Sequence, residues 1–412
     1  FLIIYIVLAL TFGYTMIVAE TAIGRMTRKS PVGAFKSFGK KKWLSFGGWI
    51  NAVIPVLIVP YYSVIGGWVI KYLVEYFRGN AKQLAEDGYF TDFISNGVST
   101  ELCFMAFCAF TLIIIFAGVQ NGIERVSKIM MPILIVLSVI IAVYSVTRPG
   151  ALAGVKYFLV PNVKNFSWMT VVSAMGQMFY SLSIAMGILI TFGSYMKKDT
   201  AIEDSTRNVE VFDTGIAIMA GLMIIPAVFA FSGGDPNTLQ AGPSLMFITI
   251  PKVFQNMGFG TVIGIVFFLL VLFAAVTSSI ALTESAVSTF EDELGWGRKK
   301  ATVLVGVIML ALGSLSSLGY GPLAGIKIIG MQFLDLFDFL TNSVMMPIAA
   351  LLTSLLVSRV VGIDKIEDEI IHGESAFRRK KVFVVMIKYL CPVFAIIILL
   401  SSVANALGWI KM

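Results

Sequence analysis

The sequence predicts an all-helical protein that crosses a membrane many times, and three observations carry that prediction. Of the 412 residues, 58% are hydrophobic and 13% charged, against about one quarter charged in a soluble domain. The mean hydropathy is +0.89. The apolar residues also gather into runs of about 20, the length an α-helix needs to cross the hydrocarbon layer.

Ten such spans are centred near residues 12, 59, 110, 138, 182, 220, 272, 309, 346 and 394. The first, YIVLALTFGYTMIVAETAIGR, is apolar apart from Glu20 and its last arginine. It runs into RMTRKSPVGAFKSFGKKKW, a loop with seven Lys or Arg and no acid. The second holds Tyr61 and Tyr62 in IPVLIVPYYSVIGGW. The third is apolar throughout, and the fourth contains Pro132 ten residues after Gly122. The fifth lies within GQMFYSLSIAMGILITFGSYM (176–196) and is interrupted in its middle by SLSIAMG. Asp213 opens the sixth, in VEVFDTGIAIMAG. The seventh carries Ala274, Thr277, Ser278, Ser279 and Glu284 in FAAVTSSIALTES. The eighth is apolar, the ninth begins with Asp338 in FLDLFDFLTNSVMMP, and the tenth closes the chain.

The basic loop after the first span, RKK at 298–300 and RRKK at 378–381 fall on one side if the spans alternate. By the positive-inside rule that side is the cytoplasm. Both ends of the chain then lie outside, and a chain that starts at Phe1 within an apolar run is expected to be preceded by at least one more spanning helix. Loops 79–100 and 233–256 face outside. The apolar half of the second, SLMFITIPKVF, reads equally as a re-entrant or hairpin element and as a packed loop.

Several functions are disfavoured. Cys103, Cys108 and Cys391 sit in apolar segments, which is neither a disulfide framework nor a zinc site. The lone His372 lies in a charged loop, and no HExxH or nucleophile–base set accompanies it, which argues against an intramembrane enzyme. The formal net charge of +7 reflects topology and calls for no nucleic acid. Polar groups scattered over several helices, rather than repeated as a filter, argue against a channel.

Ionisable groups inside spans are costly, so Glu20, Asp213, Glu284 and Asp338 are candidates for function. Asp213 reads as a cation ligand, as a helix N-cap near the cytoplasmic end, or as a partner of Arg207; Glu20 reads as a clamp bonded to a neighbouring helix. In the broken span, Ser181, Ser183 and Gly187 stand where lipid favours leucine. A freed backbone group in lipid costs several kcal/mol, so such a break is tolerated beside a cavity. The hydroxyls of Thr277, Ser278 and Ser279 could serve packing by bonding back to their own helix. Combined with freed carbonyls and one carboxylate, they form a hard-oxygen set suited to an alkali or alkaline-earth cation.

These segments, in this order, resemble the neurotransmitter:sodium symporter family, specifically its bacterial amino-acid transporters of the LeuT fold, an inverted-repeat fold with discontinuous helices and itself the reference case for that arrangement. YIVLALTFGYTMIVAETAIGR resembles family helix 2, IPVLIVPYYSVIGGW helix 3, GIERVSKIMMPIL helix 5 and FYSLSIAMGILITFGSY helix 6. DTGIAIMAGLMIIPAVFAF resembles helix 7, LFAAVTSSIALTESAVSTFEDEL helix 8 and LDLFDFL the start of helix 10. The ten spans thus correspond to family helices 2 to 11, and residues 1–412 to one transporter domain without its first helix. No Asn-x-x-Arg-Phe-Pro signature of family helix 1 occurs in the chain, which as it stands is expected to be inactive.

The resemblance implies that Tyr62 binds the substrate carboxylate and, with Tyr180, forms an outer lid. Ile58, Ser183, Met186, Ser279 and Leu282 would line the side-chain pocket, with Ser181 beside them. Ser181 and Asp213 would supply part of one sodium site, and Ala274, Thr277 and Ser278 part of a second. Asp338 matches the acid of the outer ion-pair gate, while Ser194, Tyr195 and Asp292 match the inner gate. Gly122 and Pro132 match a pair that lets the cytoplasmic end of helix 5 unwind.

Where chloride-dependent members have a neutral Asn, this chain has Asp213, and Ala217 stands where they place a serine. A fixed carboxylate supplies the negative charge that chloride would otherwise bring. The expectation is therefore sodium-coupled, chloride-independent symport of a neutral, hydrophobic amino acid across the plasma membrane, with proton coupling through Asp213 as the nearest alternative.

Overall fold

A computed structural model of the chain describes residues 1–162, 166–235, 239 and 242–406. Nine helices among the described residues are long and apolar enough to span a membrane. In chain order they include α1 (Leu2–Thr27), α2 (Lys42–Phe77), α3 (Gly97–Phe116) and α4 (Val119–Val146). Next come two shorter helices, α5 (Trp168–Ser181) and α6 (Ile188–Tyr195). The remaining spans are α7 (Ile202–Ser232), α8 (Gly260–Leu294), α9 (Arg298–Leu318), α10 (Phe333–Val361) and α11 (Lys380–Asn405).

The fifth expected span is thus α5 followed by α6, with residues 182–187 non-helical between them. Three residues of that link have left-handed backbone: Ser183 (φ 55°), Ala185 (φ 58°) and Gly187 (φ 73°). A side-chain-bearing residue resists that region, so helix cannot continue through it.

Successive spans run in opposite directions, so the basic loops meet at one end of the bundle, here called the basic end. Helices α1 and α2 run through the middle, with Ala19, Ile23, Ile54 and Val64 fully enclosed. Exposed Val136, Val139 and Val143 on α4 and Val303 and Val307 on α9 form the outer surface, as expected where lipid replaces water.

Close approach depends on glycine. A Cβ on Gly24 of α1 would lie 2.0 Å from the Ile190 carbonyl oxygen of α6, and one on Gly193 of α6 would lie 2.6 Å from Thr21 O of α1. The two helices therefore meet backbone to backbone. Proline and π-helical turns interrupt others: Pro55 and Pro60 lie within α2 and Pro132 within α4, and Ala9–Gly13, Val119–Glu124 and Phe339–Met345 are π-helical. Such turns are frequent at functional sites.

At the far end, the loop after α7 contributes the short helix Leu245–Gln255; residues 236–238, 240 and 241 of that loop lie outside the described residues. Its Phe247 is 1% exposed and sits among Trp68, Tyr72, Phe90 and Phe268. Of the two readings of SLMFITIPKVF, this is the packed one.

Candidate functional site

The centre of the site is the break between α5 and α6. Helix α5 ends on Ser181, whose hydroxyl donates to Asp213 Oδ1 of α7 at 2.6 Å. Tyr5 of α1 donates its phenol to Asp213 Oδ2 at 2.6 Å and lies 3.0 Å from Ser181 Oγ. Three elements thus converge on one carboxylate, and the two partners of Asp213 are neutral. The alternative pairing of Asp213 with Arg207 is not what the structure contains.

Tyr5 was not among the residues expected at the site. Its only signal was a phenol within the apolar run FLIIYIVLAL, and its partner lies 208 residues away. Among the described residues no three His, Cys, Asp or Glu side chains cluster as a transition-metal site would require.

The break is held from the other side by Glu20. This acid is fully enclosed, and its Oε1 accepts the backbone N–H of Ala185 at 2.9 Å. It is the clamp the sequence suggested, bonded to the unwound segment itself. Oε2 is buried and has no hydrogen-bond partner among the described residues. Gly187 abuts the Asn51 carbonyl of α2, where a Cβ would approach to 2.7 Å. A glycine is therefore needed there twice over, for its positive φ and for space.

On α8, Ala274 and Thr277 are partly exposed and Ser278 is exposed, whereas Ser279 and Leu282 are buried. Thr277 bonds back to Phe273 O and Ala274 O, both at 3.0 Å, which is the packing habit of a helical threonine. The Ser279 hydroxyl pairs with Thr111 of α3 at 3.2 Å. Tyr62 packs on the cluster that includes Ala275 and Val276 of α8. Ile58 and Met186 are buried, Ser183 is partly exposed, and Tyr180 is 38% exposed.

Toward the far end, Asp338 of α10 meets Tyr61, not Tyr62. Its Oδ1 accepts from the Tyr61 phenol at 3.1 Å and from Asn342 Nδ2 at 2.5 Å.

At the basic end Glu284 and Glu369 are paired with cations. Glu284, fully enclosed, receives both guanidinium nitrogens of Arg298 at 3.0 and 2.5 Å and the Tyr195 phenol at 2.7 Å. Arg298 Nε also donates to the Ile115 carbonyl of α3 at 3.0 Å. Sequence showed Arg298 only as part of a topology signal. Asp292 accepts the Ser30 N–H at 2.6 Å, and the Ser194 hydroxyl donates to Thr191 O at 2.6 Å. Ser194, Tyr195 and Asp292 thus share the basic end without bonding one another.

Arg25, fully enclosed, joins Glu369 Oε1 at 2.7 Å and Thr200 O at 2.5 Å. Nearby, Glu203 accepts the backbone N–H groups of Arg378 and Arg379 at 2.7 and 3.1 Å. In the loop between α10 and α11, burial raises the Glu374 carboxyl above the usual range against the opposing pull of the Glu203 and Asp204 N–H groups. Gly122 and Pro132 both lie in α4. The π-helical turn spans Gly122, and the N–H groups of Gly122 and Ile123 share Gly118 O at 3.0 and 3.1 Å.

The profile of the sodium:neurotransmitter symporter family matches residues 74–409. An uncharacterised sodium-dependent transporter of Bacillus subtilis strain 168, YhdH, is 32% identical over 407 residues, covering 98% of this chain and 89% of that protein. A second, from Haemophilus influenzae, is 29% identical over 419 residues, covering 98% and 90%. Among solved structures, MhsT in complex with L-phenylalanine superposes with a TM-score of 0.86 at 32% identity, covering 97% of this chain and 91% of that one.

Proposed function

Because the chain belongs to the sodium:neurotransmitter symporter family, and so is a sodium-dependent transporter and not an enzyme, we propose that it carries a neutral, hydrophobic amino acid into the cell together with sodium. Residues 1–412 act as part of one transporter domain in the plasma membrane, the bacterial inner membrane, with the basic end in the cytoplasm. The fold, LeuT-like by its superposition on MhsT, offers a midplane site at broken helices, open to one side at a time.

The observation that carries this reading is the Asp213 carboxylate at the helix break, bonded among the described residues to the neutral hydroxyls of Tyr5 and Ser181. A carboxylate there attracts a hard cation, and the freed carbonyls and the Ser181 hydroxyl complete an oxygen set of the kind sodium takes. Ser181 and Asp213 serve one sodium, and Ala274, Thr277 and Ser278 a second. Ile58, Ser183, Met186 and Leu282, with Ser279, receive the side chain, and Tyr62 and Tyr180 cover it. The phenylalanine in MhsT supports a hydrophobic substrate, and Ala185, in place of a freer glycine, limits how bulky it can be. Asp338 belongs to the outer gate, Ser194, Tyr195 and Asp292 to the inner gate, and the Gly122–Pro132 stretch of α4 unwinds to release sodium.

Sodium drives uptake because it and the amino acid share one set of conformations, which makes their affinities reciprocal. The negative charge of Asp213 makes chloride unnecessary, since it already offsets the cation in a low dielectric.

The test is uptake of labelled neutral amino acids by the protein reconstituted in liposomes. An inward sodium gradient drives phenylalanine or leucine uptake in chloride-free buffer; uptake that follows a proton gradient and ignores sodium refutes the proposal in favour of proton coupling. Asp213→Asn abolishes transport in chloride-free buffer. Normal chloride-free transport by that variant removes the charge argument.

A further inference from the structure

Helix α2 carries two adjacent tyrosines, and they turn toward different helices. Consecutive residues of an α-helix point about 100° apart. Tyr62 packs on the cluster that includes Ala275 and Val276 of α8, while Tyr61, 1% exposed, faces α10. The Tyr61 phenol donates to Asp338 Oδ1 at 3.1 Å, and Asn342 donates to the same oxygen at 2.5 Å from one turn along α10. The turn that carries Asn342 is π-helical, over Phe339–Met345. Among the described residues, no hydrogen bond or ion pair falls on Asp338 Oδ2.

The kinds of donor matter. Both are neutral, so they orient the carboxylate without cancelling its charge. A lysine or arginine in either place would satisfy Asp338 permanently and leave it nothing to offer a partner that arrives only when the gate closes. Two donors on one oxygen also restrict the rotation of the carboxylate, which a single bond would permit. Oδ2 then has one direction in which to meet a cation.

Resting on the reading of Asp338 as the acid of the outer gate, we propose that Tyr61 and Asn342 are its positioning residues. They fix Oδ1 so that Oδ2 stays aimed at the cationic group, a guanidinium or an ammonium, that closes the site from outside. On this proposal the tandem tyrosine has two separate tasks, with Tyr62 serving the bound molecule and Tyr61 the gate above it.

The test uses detergent-purified protein, loaded with labelled phenylalanine in sodium, and measures the rate of label release on dilution. Tyr61→Phe keeps the ring and deletes the bond to Asp338, along with the longer contacts of the phenol with Thr341 and Asn342 at 3.4 and 3.5 Å; it speeds release about fivefold, the factor that one net hydrogen bond is worth, with sodium affinity unchanged. Asn342→Ala shifts release in the same direction. Asp338→Asn speeds release at least as much, and adding Tyr61→Phe to it gives no further increase, because the two act as one unit. Release from Tyr61→Phe at the wild-type rate, or effects of Tyr61→Phe and Asp338→Asn that multiply, overturns the positioning role alone. Absence of sodium-dependent phenylalanine binding in the wild type overturns the functional reading and the gate with it.

Discussion

At the basic end, Arg298 grips Glu284 with two nitrogens and Arg25 is enclosed against Glu369 and Thr200; toward the far end, Asp338 is held by a phenol and an amide. A buried ion pair, once made, is costly to separate, because each partner is left charged in a poor solvent. A neutral hydrogen bond exchanged for water loses about 1 kcal/mol. The two ends therefore differ in how easily they part. Among the described residues, the basic end is cross-linked between helices by enclosed ion pairs, whereas the ion pairs at the far end either lie within one helix end, as Glu75 with Lys71 and Arg78, or are exposed, as Lys252 with Asp87, and its other contacts are ones that water can replace.

The comparison is broken most directly at Arg298. In Arg298→Met, Glu284 stays enclosed with only the Tyr195 phenol, and an unpartnered buried charge of this kind costs about 3–5 kcal/mol. The variant unfolds at correspondingly lower denaturant in a mixed-micelle titration, while the double variant Glu284→Gln with Arg298→Met recovers much of the loss. A single variant as stable as the wild type would show that the basic end does not depend on this pair.

A smaller effect is expected from glycine packing. Gly24→Ala forces a methyl to 2.0 Å from the Ile190 carbonyl oxygen, which is backbone and has little room to yield. Overpacking of this sort costs about 1–3 kcal/mol. Gly176 of α5, toward the far end, has nothing within 4 Å of where its Cβ would stand, so Gly176→Ala is neutral or slightly stabilising through helix propensity. Equal melting of the two variants would show that the backbone contact between α1 and α6 is no tighter than the open face of α5 at Gly176.

What could be read from the sequence divides along the same line. The spans and the break at SLSIAMG were legible because length, periodicity and a misplaced pair of hydroxyls are local signals. Asp213 and Glu20 stood out because a carboxylate in an apolar run is expensive wherever it points. Their partners were not legible. Nothing in FLIIYIVLAL says that Tyr5 reaches Asp213, and nothing in GRKK says that Arg298 turns back to Glu284. Those pairings depend on helix rotation and on packing between distant segments, which carry no local pattern. The same holds for Tyr61 and Tyr62: their adjacency is evident, but which one meets Asp338 is decided by the face that α2 turns toward α10.

The far end also supplies the smallest of these effects, and it probes whether neutral contacts suffice there. Tyr72 of α2 is fully enclosed and donates its phenol to the Phe247 carbonyl at 2.8 Å, within an aromatic cluster whose Tyr72–Phe247 and Tyr72–Phe268 ring centroids are 5.1 and 5.2 Å apart. Tyr72→Phe keeps those ring contacts and deletes the single bond that ties helix Leu245–Gln255 to α2. The expected loss is about 1 kcal/mol, and it should fall on the loop before the bundle. Hydrogen exchange reports this directly, through faster exchange of amides in 245–255 and unchanged exchange in α1 and α6. If protection falls equally in α1, the far-end helix is coupled to the whole bundle, and the two ends are less independent than their chemistry implies.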